Sequence, residues 1–255
     1  MKKRWILFLS IISTVLILSA CGTASTSGDN GLETYTVATD ANFKPFEYKD
    51  ENGEMVGFDI DLMKAIAEEA GFNVEFESME FDGLIAGMQS GRYPIAIAGI
   101  SITEERKETI DFSDAYYDSG LILMVPKGSD IKSIEDVDGK KIGTKQGTTS
   151  QDYLVNYTDA EVEAYPEIIN AYMDVQSGRL DAALYDLPNV LYYIKENGND
   201  ELETAGEVFE GQPYGIAFKK GSDLVDDVNE ALATLKENGT YNEIYKEYFG
   251  TEPPQ

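Results

Sequence analysis

FDIDLMKAIAEEAGFNVEFESMEFDGLIAGMQSGRYPIAIA, residues 58–98, decides the fold class. In 58–70, Leu62, Ile66 and Ala70 recur four residues apart, which lines one face of a helix, and Gly71 supplies a stop. Residues 73–77 (NVEFE) alternate as a half-buried strand does. Helical spacing returns over 81–90, with Leu84, Ile85 and Met88 on one face and Gly91 behind them. The apolar run 95–98 fits a buried strand, although Pro94 blurs its start. Helix and strand in alternation predict an α/β fold with mostly parallel sheets.

The pattern continues in both directions. Upstream, 34–39 (TYTVAT) reads as a strand. Downstream, strand and helix signals alternate at 121–125, 141–143, 149–156, 161–164, 167–176, 181–184 and 188–196. A strand-like 214–218 follows, then helices over 222–237 and 241–248, separated by Asn238-Gly239 as a turn. No internal repeat is visible.

Composition narrows the function. The 255 residues carry 47 Asp and Glu against 20 Lys and Arg, a net charge of −27. Such a surface repels phosphate backbones and anionic headgroups, which argues against nucleic acid. Histidine is absent, which removes Ser-His-Asp and Cys-His triads and HExxH zinc sites. With one cysteine, Cys21, neither an intrachain disulfide nor a cysteine zinc site can form. No cofactor or metal is expected.

The N-terminus reads as a targeting signal. Lys2, Lys3 and Arg4 precede an apolar stretch over 5–20, short for a membrane span. It ends in Leu18-Ser19-Ala20-Cys21, which looks like a bacterial lipobox. This predicts a signal peptide over 1–20, lipidation of Cys21, and a small, polar tether over 21–32.

The runs ATDANFKPFEY (38–48), GFDIDL (57–62), AGISITEER (98–106), IDFSDAYY (110–117) and ENGTYNEIY (237–245) resemble the polar amino-acid-binding proteins of ATP-driven importers, solute-binding protein family 3. They look especially like the glutamine-binding members. The resemblance implies a two-lobed, type II periplasmic-binding-protein fold with a central cleft. Lobe 1 would be 33–114 and 214–255, lobe 2 would be 121–211, and the hinge crossings 115–120 and 212–213. It also implies a lipid-anchored, extracytoplasmic, monomeric receptor that is not an enzyme. Its partners would be an amino acid and the permease subunits of an ABC importer.

The same resemblance assigns the site. Arg106 falls at the position that clamps the ligand carboxylate, with Thr149 nearby. Asp186, the Gly99 carbonyl and the Ser101 hydroxyl fall around the α-ammonium. Phe43 and Phe81 would flank the aliphatic stem. Asp40 and Lys145 would reach the side-chain end, where one acceptor and one donor suit a carboxamide. Two positions depart from the glutamine-binding pattern: Tyr185 replaces a histidine and Thr149 a glycine.

Taken without the resemblance, these residues have plainer readings. Arg106 could be a surface residue beside Glu105 and Lys107. Ser101 and Glu104 fit a capping box. Asp186 could cap a helix before Pro188. The phenylalanines could be core, and Asp40 and Lys145 an ion pair across the cleft. At the level of the whole chain, the alternatives are a small-acid dehydratase on the same fold, a binder of glutamate or a basic amino acid, and a partner-borne sensor.

Overall fold

The computed structural model describes residues 31–198 and 200–254, with the backbone of a two-residue strand at 26–27. The expected signal peptide, Cys21 and most of the expected tether lie outside the described residues.

The deciding stretch forms the predicted elements. The helix Phe58–Ala70 buries Phe58, Leu62, Met63 and Ile66, and ends at Gly71 with φ 81°. Burial of each large apolar side chain contributes roughly 1.5–3 kcal/mol. The strand Asn73–Ser78, the helix Phe81–Gln89 and the short strand Ile95–Ala96 follow. That last strand starts at Ile95 as expected but stops at Ala96, after which the Ile97 N–H still donates to the Ala38 carbonyl at 3.0 Å.

Two main sheets result. In the first, Glu33–Thr39 lies parallel to both Asn73–Ser78 and Ile95–Ala96. Ala217–Lys219 then runs antiparallel to Ile95–Ala96 and to Ile110–Phe112. In the second, Lys141–Lys145 lies parallel to Glu161–Tyr165 and Ala182–Asp186. The long strands Tyr117–Pro126 and Leu202–Tyr214 complete it in antiparallel pairing. The expectation of mostly parallel sheets is therefore corrected: each sheet is parallel on one side and antiparallel on the other. Apart from the short strand at 26–27, antiparallel to 33–34, the antiparallel strands of these sheets are the ones that leave or re-enter a lobe, so no helical crossover constrains their direction.

Tyr117–Pro126 and Leu202–Tyr214 also carry the chain between the lobes. Gln212 pairs with Ser119, Pro213 with Asp118 and Tyr214 with Tyr117, so the two crossings lie side by side. The strand expected at 214–218 is interrupted: one strand ends at Tyr214 and the next begins at Ala217. The last helices, Leu224–Asn238 and Thr240–Phe249, return to the first lobe. There Phe249 packs on Phe46, Phe58 and Tyr117, with ring centroids 5.2–5.4 Å apart.

Candidate ligand-binding site

The C-terminal ends of the parallel strands point at one region between the lobes. Asp40 follows Glu33–Thr39, and Gly99 and Ser101 lie just beyond Ile95–Ala96. Phe81 opens the helix after Asn73–Ser78. From the other lobe, Lys145 ends Lys141–Lys145, and Tyr185 and Asp186 end Ala182–Asp186. Sites form at such strand ends because the chain turns there into loops and helix N-termini, leaving a crevice.

Arg106 sits on the one-turn helix Glu104–Lys107. Its cap is Thr103, whose hydroxyl accepts from the Arg106 N–H at 3.1 Å. The capping box expected from Ser101 does not form. Ser101 instead makes a backbone bridge to Tyr214. Arg106 is buried, 7% of the residue being exposed, so the surface reading does not hold. Nη1 donates to the Ser101 carbonyl at 3.0 Å, and Nη2 to the Gly147 carbonyl of the other lobe at 3.2 Å. Phe81 lies beneath it, 5.6 Å from Cζ to ring centroid. Burial pulls the Arg106 pKa down, while Asp152, Asp186 and Glu105 oppose that shift. Two neutral carbonyls leave a buried cation with no carboxylate in direct contact among the described residues, which suits an anionic ligand group.

Asp186 occupies the N-cap position of the helix Leu187–Asn197, yet its side chain makes no cap bond. It accepts from the Tyr214 hydroxyl. Burial pushes its pKa up to about 6, held back by that hydrogen bond and by Arg106 and Lys145. A buried carboxylate with spare lone pairs suits an ammonium.

Asp40 and Lys145 form a direct ion pair between the lobes, at most 2% of either side chain being exposed. The remaining Asp40 oxygen accepts from the backbone N–H of Asn42 at 3.0 Å. Lys145 Nζ lies 5.7 Å from the Phe81 ring centroid. Phe43 stacks on Phe46 at 4.9 Å and meets Tyr185 edge-on at 5.7 Å. It also closes over Gly99. That residue has φ 53°, and a Cβ there would fall 2.4 Å from Phe43 Cε1. Thr149 lies further out, half-buried at the start of the helix Thr149–Tyr157. With Arg106, Gly147 and Asp152 it lines a surface cavity of about 310 Å³.

The ten assigned residues thus surround one interface between the lobes, with Thr149 at its margin. Three further polar contacts bind the lobes around it. Asn42 Nδ2 donates to Glu167 at 2.7 Å, Gln146 Nε2 to Asp82 at 2.9 Å, and Asn189 Nδ2 to the Lys44 carbonyl at 2.7 Å. Gly147 is part of the closure: a Cβ on it would approach the Asp82 Cβ to 2.9 Å, at a backbone φ of 75°. Tyr214, Gly147 and Asn189 were not anticipated. Only Gly147 carries a local signal, as the glycine in the strand-to-helix turn Lys145-Gln-Gly-Thr.

A two-lobed α/β fold with charged and aromatic groups gathered at the strand ends between the lobes is the architecture of a ligand-capturing protein. The family model for bacterial extracellular solute-binding proteins, family 3, matches residues 35–251, and the chain belongs to that family. The arginine-binding extracellular protein ArtP of Bacillus subtilis is 33% identical over 98% of this chain and 99% of its own. The ABC transporter glutamine-binding protein GlnH of the same organism is 33% identical across both whole chains. Among solved structures, an ancestral arginine-binding protein bound to arginine is 46% identical, with a TM-score of 0.81 over 85% of this chain and 98% of that one.

Proposed function

We propose that this solute-binding protein is a lipid-anchored receptor that captures a polar L-α-amino acid, glutamine foremost, and delivers it unchanged to an ABC importer. The observation that carries the reading is the buried Asp40–Lys145 pair beside Phe81, at an inter-lobe interface that also holds Arg106 and Asp186. Arg106 suits an α-carboxylate and Asp186 an α-ammonium. Because they come from different lobes, one ligand satisfies both only when the lobes are closed, so binding favours closure. At the far end, one acceptor and one donor suit a carboxamide. A glutamate side chain would face Asp40 unfavourably, and an arginine side chain would face Lys145 unfavourably. The relatives named above as amino-acid binders support the ligand class.

Isothermal titration with glutamine, glutamate and arginine tests the proposal. Glutamine should bind about a hundredfold more tightly than glutamate, about 2.7 kcal/mol. Asp40→Asn should shrink that preference, since the repelling charge is gone. Equal affinities would sink the glutamine assignment.

A basic ligand is the second reading. Glu167 lies within electrostatic reach of Lys145 and Asp40, so carboxylates outnumber cations there. Tighter binding of arginine than of glutamine would favour it. Recovery of intact ligand after long incubation tests the non-enzymatic reading. Loss of membrane fractionation in Cys21→Ser tests the anchor.

A further inference from the structure

Behind the site lies a second set of carboxyls that ligand binding does not use. Glu47, on the strand Glu47–Lys49, and Asp59, in the first turn of Phe58–Ala70, are both fully buried. Their segments are joined by the Asp59 N–H donating to the Phe46 carbonyl at 2.9 Å. Asp59 Oδ2 accepts from the Gly99 N–H at 2.9 Å and from the Tyr116 hydroxyl at 2.8 Å. Its other oxygen, and both oxygens of Glu47, have no donor among the described residues. Two ionised carboxylates are acceptors only, so neither could satisfy the other. The two side chains lie within hydrogen-bonding reach of each other, so a proton on one of them makes a hydrogen bond between them, as in paired carboxyls that cannot both ionise.

We infer that Glu47 and Asp59 share one proton, with Glu47 as the acid and Asp59 as the carboxylate, and that the pair positions the Gly99 peptide for an α-ammonium while tying it to Tyr116 in an inter-lobe crossing. The ammonium part rests on the proposed function. The assignment of the proton follows from the partners. Asp59 already receives two donors, which favour its charged form, whereas Glu47 receives none. The groups facing Glu47 are Asp59, Asp40, Lys145, Tyr116 and Tyr185. Only Lys145 is cationic, and it is already paired with Asp40. Tyr116 and Tyr241 face Asp59 and bring no positive charge. Burial and the neighbouring carboxylates hold Glu47 well above the usual carboxylate range. The pair therefore retains one negative charge. That charge lies directly behind the Gly99 peptide, which the Phe43 ring holds from the other side.

Infrared spectroscopy of the ligand-free protein at pH 8 tests the pair. Asp186, at about 6, is ionised there. A deuterium-sensitive carboxylic-acid carbonyl band is expected in the wild type and should vanish in Glu47→Gln. Asp59→Asn should shift or abolish the same band, which keeps the test open should Glu47→Gln fold poorly. No band in the wild type, or a band unchanged by both variants, overturns the inference. For positioning, Glu47→Gln, which still donates to Asp59, should bind glutamine within threefold of wild type. Glu47→Leu should bind at least tenfold more weakly, and equal affinity would refute the positioning role. The band is read without ligand, so failure of the wild type to bind amino acids would strike the proposed function and not the pair.

Discussion

Arg106 and Asp186 show how burial turns ordinary side chains into a site. A guanidinium held by two carbonyls is desolvated but not neutralised. Removing it from the crevice should cost about 2–5 kcal/mol of ligand binding. Titration of Arg106→Ala checks this, provided the circular dichroism is unchanged. Asp186 predicts a pH dependence. An ammonium prefers the ionised carboxyl, so ligand affinity should hold above pH 6 and fall by up to tenfold per unit below it. Asp186→Asn should bind weakly throughout and flatten the profile. In the ligand-free protein the sign is opposite. The folded pKa is raised above the unfolded value near 3.9, so the native state holds the extra proton between those values. Stability from this group is therefore lost as the pH rises from about 4 to 6, on the order of 3 kcal/mol.

Among the elements, the N-terminal turn of Leu187–Asn197 acts as a clasp. Asn189 donates to the Lys44 carbonyl of the opposite lobe, and its own amide oxygen accepts from Tyr172 at 2.9 Å. None of these groups belongs to the proposed ligand shell. Asn189→Ala should leave a buried tyrosine hydroxyl unpaired and weaken closure, costing about 1–3 kcal/mol. The measurable outcome is a five- to hundredfold loss of ligand affinity with an unchanged preference among amino acids. A change in preference would place Asn189 in the ligand shell instead.

For the whole molecule, the C-terminal helices complete a lobe that begins some two hundred residues earlier in the chain. Phe249 joins Phe46, Phe58, Tyr117 and Tyr245 in one aromatic cluster at the root of an inter-lobe crossing. Phe249 is half-buried, so Phe249→Ala should destabilise the protein by about 1–3 kcal/mol and lower its thermal midpoint, through lost burial and packing. Scanning calorimetry reads the effect directly. Closure is the other property of this scale. Small-angle scattering should show compaction with ligand in the wild type and a reduced change in Asp186→Ala, since that variant no longer links ligand to the second lobe.

Local periodicity accounts for the part of the fold that is legible along the chain. The four-residue spacing of Leu62, Ile66 and Ala70 and the stop at Gly71 specify a helix without reference to any other segment, and the structure has it at 58–70. The closing helices were equally legible, with Asn238-Gly239 between them. The motifs around Asp40, Arg106 and Asp186 marked candidate residues, but not their partners. Tertiary structure decided the rest. Leu202–Tyr214 is broken by Gly206, Gly211 and Pro213, and it is a strand because Tyr117–Pro126 offers a buried edge to pair with. The Asp40–Lys145 pair joins residues 105 apart, and the Arg106–Gly147 bond joins residues 41 apart. Glu47 and Asp59 read as two solvated acids in a chain of net charge −27, and become a buried pair only when a strand is laid against the first turn of a helix. Periodicity is a property of neighbours along the chain, whereas desolvation and charge pairing depend on neighbours in space, which the chain acquires only by folding.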